Sequence, residues 1–144
     1  MRTELTIEID RPPEDVFAYL ADVSNLTEWQ SGVHSAEVEG GAAAAKGAHV
    51  VECRTLLGKE LTTTLEIVDF DPPRLFTLRA LEGPALLTVR HELEPSGGET
   101  ELRVVVEGEV RHLPGFAAGL MMRGAERQFR KNFERLKRVL ESQA

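Results

Sequence analysis

Residues 3–9 alternate apolar and polar side chains, with Leu5, Ile7 and Ile9 on one side, and predict a strand. Pro12, Pro13, Glu14 and Asp15 then read as a first helical turn. Proline tolerates that position, and acids there face the positive end of the helix dipole. Val16, Phe17 and Leu20 follow at helical spacing, so a helix is expected over about 13–22. Ser24 and Asn25 are capping residue types, and a short second helix should run to Trp29. From His34 to Val110 the period changes to two, predicting strands over 34–39, 48–57, 60–70, 74–82, 84–94 and 99–110. Turn residues separate them: Gly40-Gly41, Gly58-Lys59, Asp71-Pro72-Pro73, Gly83-Pro84 and Pro95-Ser96-Gly97-Gly98. Such short connections imply an antiparallel meander, because parallel strands need longer crossovers. The last segment, about 113–141, reads as one long amphipathic helix carrying Leu113, Phe116, Leu120, Phe129, Phe133, Leu136 and Leu140 along one side.

The order is strand, two short helices, six strands, long helix, which gives an α+β domain. An antiparallel sheet must cover one face, and the terminal helix is the element long enough to do so. At ~1.5 Å per residue it would run about 43 Å, enough to cross seven strands. A sheet of that size must twist and curl, so it should grip the helix.

Composition narrows the picture. The 144 residues fit a single domain spanning 1–144, and a hydrophobic fraction of 42% supports a core without a metal or disulfide staple. Cys53 is alone, which excludes an internal disulfide and a cysteine-based metal site. No apolar run approaches the ~20 residues of a spanning helix, and the opening MRTELTIEID has no apolar signal-peptide core, so a cytoplasmic protein without stable membrane insertion is expected. The net charge of −7 argues against nucleic acid as a partner. It is unevenly spread: residues 1–110 carry 9 basic and 21 acidic side chains, residues 111–144 carry 8 and 3. A cationic helix lying across an acidic body explains this better than a nucleic-acid tail.

Four segments carry a family resemblance: Ile7-Glu8-Ile9 leading to PPEDVFAYLADVSNLTEW, then EIVDFDPPRLFTLRA, HELEPSGGETELRV and the closing FRKNFERLKRVLE. In that order over nearly the whole chain, they resemble the START-like (helix-grip, SRPBCC) superfamily, within it the polyketide cyclase/dehydrase and lipid-transport-like branch. The resemblance implies a seven-stranded curved antiparallel sheet wrapped around the C-terminal helix. It also implies a deep cavity between them for apolar or aromatic small molecules such as a lipid, an isoprenoid or a polyketide-like aromatic. The superfamily holds carriers, receptors and enzymes, so fold does not decide among them. A monomer or homodimer without cofactor is expected.

Motifs for other chemistries are missing. His91-Glu92 has Pro95 where HExxH needs its second histidine, and no GxSxG or dinucleotide fingerprint occurs. The four histidines (34, 49, 91, 112) have no short metal-ligand spacing. Catalysis would therefore rest on polar side chains inside the cavity. A two-residue turn at Gly58-Lys59 would pair Leu56 with Leu61, Arg54 with Thr63, Glu52 with Leu65 and Val50 with Ile67, all on one inward face. Glu52, Arg54 and His91 are thus the candidate catalytic residues, an acid, a cation and an imidazole around a ligand carbonyl or phenol. A structural ion pair is the competing reading, and a one-residue slip would turn Glu52 and Arg54 outward. Candidates for the cavity wall are Trp29, His34 (sharing a face with Ala36 and Val38), Leu65, Phe76, Leu78, Met121 and Gly124. The first half of the long helix is rich in small residues, Gly115, Ala117, Ala118, Gly119, Gly124 and Ala125. They leave either a ligand void or a close backbone contact; the bulky second half favours the void.

Overall fold

The computed structural model describes residues 2–56, 58–83, 85–110 and 114–143. Leu57, Pro84 and Leu113, read from the sequence as a strand end, a strand start and a helix start, lie outside the described residues, as does His112. The elements are β1 (Arg2–Ile9), α1 (Pro13–Ala21), a 3-10 turn (Val23–Asn25), α2 (Leu26–Trp29) and β2 (Val33–Val38). After a second 3-10 turn (Glu39–Gly41) come β3 (His49–Leu56), β4 (Lys59–Asp71), β5 (Leu75–Ala80), β6 (Ala85–Ser96), β7 (Glu99–Val110) and α3 (Gly115–Ser142). The cap before α2 differs from expectation: the Asp22 side chain accepts from the Ser24 N–H, while Asn25 donates from Nδ2 to the Tyr19 carbonyl.

All neighbouring strands are antiparallel, in the order β1-β7-β6-β5-β4-β3-β2. The first strand therefore joins the last, and the α1–α2 excursion carries the chain to the opposite edge. This is the helix-grip architecture. The inner face carries Ile9, Val50, Ile67, Phe76, Leu93, Leu102 and Val104, all nearly fully buried. The outer face of β1, β7 and β6 carries a charge ladder, Arg2–Glu4–Arg103–Glu92–Arg90, in which each neighbouring pair is an ion pair. Period-two alternation separates the two faces, with irregularities in β2 between Val33 and Ser35 and in β4 between Ile67 and Asp69.

The β3–β4 hairpin closes two residues tighter than the expected register: Leu56 pairs with Lys59, Arg54 with Leu61, Glu52 with Thr63 and Val50 with Leu65. A shift of two residues changes partners but not faces, because side chains alternate with period two. Glu52 and Arg54 accordingly stay on the inner face.

The terminal helix has the expected length but packs unequally. Its C-terminal half buries Phe133, Leu136 and Leu140 against the core. Toward its N-terminus Phe116 is 78% exposed and Leu120 66% exposed, so the apolar stripe does not seal the sheet along its whole length. Among the described residues no helix is long and apolar enough to cross a membrane.

Candidate functional site

Where α3 stops sealing the sheet, a cavity of about 660 Å³ opens between the helix, the inner face of β3–β7 and the α1–α2 segment. One wall comes from the sheet: Leu61, Leu65, Phe76, Leu78, Leu87, Val89 and His91. Alternation on successive strands delivers these side chains to one face. Trp29 and Gln30 close the cavity from the end of α2, and Met121, Gly124, Phe129 and Phe133 close it from α3. A Cβ built on Gly115, Gly119 or Gly124 would meet nothing within 4 Å, so these glycines do not serve close backbone packing.

Among the polar side chains that line the cavity, Glu52 and His91 are the buried ones. Glu52 is 4% exposed and accepts from Arg54 Nε, while Arg54 Nη2 donates to Gln30 Oε1 at 3.2 Å. The acid, the guanidinium and the amide form one network at the cavity edge, with Arg54 more exposed than its partner. Burying a carboxylate is costly unless it is paired and hydrogen-bonded, and this network does both.

His91 on β6 is the second group, 2% exposed. Its Nδ1 lies 2.8 Å from the Phe76 carbonyl oxygen, and its ring stacks on Phe76 with centroids 5.6 Å apart. Phe133 approaches from the helix side at 5.9 Å and in turn contacts Trp29 at 4.9 Å and Phe129 at 4.8 Å. Burial in this aromatic cluster pushes the imidazole pKa down to about 4, against a smaller upward pull from the hydrogen bond to Phe76. At neutral pH His91 is an uncharged polar group on the cavity wall. No hydrogen bond or ion pair joins it to the Glu52–Arg54 pair, so the three candidate catalytic residues border one cavity in two separate networks.

Trp29, Leu65, Phe76, Leu78, Met121 and Gly124 all border the cavity. His34 does not. It is exposed and its Nε2 lies against Thr55 Oγ1. The cause is a bulge: Val33 pairs with Arg54 but Ser35 with Cys53, so the pairing slips at His34. A bulge inserts one residue and reverses the parity of the strand. Val33 and Ala36 are buried instead, three positions apart. Gln30 escaped the sequence reading because its role depends on where α2 docks against β3. Phe129 and Phe133, on the apolar side of the long helix, belong to core and cavity wall at once.

No curated protein matches the chain by sequence. Among solved structures, the Zhui aromatase/cyclase from Streptomyces superposes with a TM-score of 0.82 at 18% identity, covering 98% of this chain and 93% of that one. A START superfamily protein from Mycobacterium smegmatis reaches 0.78 at 14% identity over 96% and 98%. A Thermus thermophilus protein reaches 0.75 at 22% identity over 98% and 94%. At these identities the likeness establishes the fold. The match to the family model extends over residues 1–141, the sheet, the cavity and nearly all of the gripped helix, and the chain belongs to the polyketide cyclase/dehydrase and lipid-transport family.

Proposed function

We propose that this protein binds a hydrophobic small molecule, a lipid, an isoprenoid or a polyketide-like aromatic, in the cavity between the sheet and α3. The observation that carries this reading is the mismatch along α3: Phe133, Leu136 and Leu140 are buried at one end, and beside Met121, Gly124 and Ala125 nearer the other lies a void of about 660 Å³. Cavities of ~300–1,000 Å³ lined by apolar side chains with a few fixed polar groups suit drug-sized ligands. On this reading the chain works in the cytoplasm as a monomer or homodimer, with no nucleic-acid partner and no cofactor. Nile red should bind the folded protein saturably in the micromolar range and be displaced by naphthalene or dodecanoate. Absence of saturable binding would overturn the reading.

Cyclase, dehydratase or hydrolase chemistry on such a ligand is a second reading, favoured by the buried Glu52 beside Arg54 and Gln30. It assigns Glu52 and His91 to proton transfer and Arg54 to an oxyanion. Turnover of a poly-β-keto thioester analogue that is abolished by Glu52→Gln, with Nile red binding unchanged, is its expected signature.

A further inference from the structure

His91 is the buried titratable group whose hydrogen bonding is half used. Nδ1 faces a carbonyl oxygen, which only accepts, so Nδ1 carries the proton and donates. Nε2 of a neutral ring in that tautomer holds a lone pair and can only accept. It has no protein partner among the described residues. It is also not sealed off, as the unpartnered atoms Trp29 Nε1 and Thr77 Oγ1 are. His91 borders the cavity, and its ring stacks on Phe76 and lies tilted against Phe133.

Resting on the cavity reading above, we propose that His91 is a specificity-determining residue, accepting through Nε2 a hydrogen bond from a free hydroxyl of an uncharged apolar ligand. The protein's own residues leave this buried acceptor unmade, and a ligand that fills the site without donating would bury it permanently, which is unfavourable. A carboxylate ligand would set its own lone pairs against it. The low pKa keeps the imidazole from answering with a proton at neutral pH. The charged groups lining the cavity are Glu52 and Arg54 from β3, Glu82 beyond β5 and Glu126 from α3, three acids to one cation. None of them hydrogen-bonds to His91, and their excess of negative charge disfavours an anionic ligand further. An alcohol and a phenol both supply the required O–H.

Competition against Nile red tests this with two matched pairs: 1-naphthol against 1-methoxynaphthalene for the phenol, and dodecanol against dodecanoate for the aliphatic alcohol. The hydroxyl form of at least one pair should bind about fivefold to tenfold tighter, the effect of one neutral hydrogen bond, and the pair that shows it identifies the source. In His91→Phe the 1-naphthol preference should fall to within about twofold while 1-methoxynaphthalene binds as before; if dodecanol is the preferred ligand, its affinity should fall by the same factor. Equal affinities in both wild-type pairs, or a preference that survives in the variant, would overturn the assignment with the cavity reading intact. Failure of every probe, Nile red included, would overturn the cavity reading itself. Should His91→Phe not fold, ¹⁵N spectra of the histidine-labelled wild type decide. His91 must show an unprotonated Nε2 whose resonance moves toward the hydrogen-bonded range on adding the preferred hydroxyl ligand; no movement overturns the proposal.

Discussion

The two halves of α3 are built from the same helical repeat and do different work. From Phe129 to Leu140, large side chains descend at spacings of three and four, and Phe133, Leu136 and Leu140 are all nearly fully buried. From Gly115 to Ala125, small residues alternate with Leu120, Met121 and Met122, and glycine stands at three positions where a side chain would meet open space. Hydrophobic periodicity is present in both halves; side-chain volume is not. The C-terminal half completes a core, and the stretch from Leu120 to Ala125 borders the cavity. A helix of uniform bulk would have filled the sheet's concave face and left no site.

Four substitutions or conditions probe that contrast, the strongest first. Leu136→Ala removes a fully buried group from the sealing half and should cost about 3–4 kcal/mol in urea unfolding, whereas Leu120→Ala in the roofing half should change stability by under ~0.5 kcal/mol. Similar costs for the two would erase the distinction between the halves.

Acid should act at the boundary, where His91 meets Phe133. The unfolded chain takes up a proton near pH 6.5, while the native imidazole resists it down to about 4. Stability therefore falls as pH drops through that window, by roughly 3 kcal/mol from this residue, and levels off below it. Unfolding curves at pH 7.5 and 4 should show that His91→Phe loses correspondingly less than the wild type over the same interval.

Arg54→Ala leaves Glu52 buried without its cation. Breaking a buried pair is expensive, and since Arg54 is itself one-third exposed the expected loss is roughly 2–3 kcal/mol, well above the effect of Arg103→Ala on the solvent-screened outer charge ladder. A loss below about 1 kcal/mol would mean that Glu52 gains no more from its partner than a surface acid does.

The smallest stability change is expected from Gly124→Leu. Replacing an interior helical glycine gains up to ~1 kcal/mol of helix propensity, and the new side chain enters open space. The melting temperature should hold or rise while Nile red affinity drops at least about tenfold. A lowered melting temperature with unchanged dye binding would place the ligand elsewhere.

The element order, the antiparallel meander and the inward face of β3 and β4 are legible in the amino-acid sequence. Those features follow from local rules: period two against period 3.6, and glycine and proline at the chain reversals. Facing survived even a wrong pairing, because Glu52 and Arg54 keep their side of the sheet under a two-residue shift. His34 shows the limit of the same rule. One inserted residue in β2 reverses the alternation, and nothing in the sequence of that strand distinguishes a bulge from a regular pairing. Which part of α3 touches the sheet, that Gln30 reaches Arg54, and that the imidazole of His91 meets Phe76 and Phe133 with one nitrogen committed to a carbonyl emerge only in the tertiary structure. Each of these depends on where elements far apart in the chain dock. Burial, and with it the charge state of a titratable group, is set by that docking rather than by neighbours in sequence.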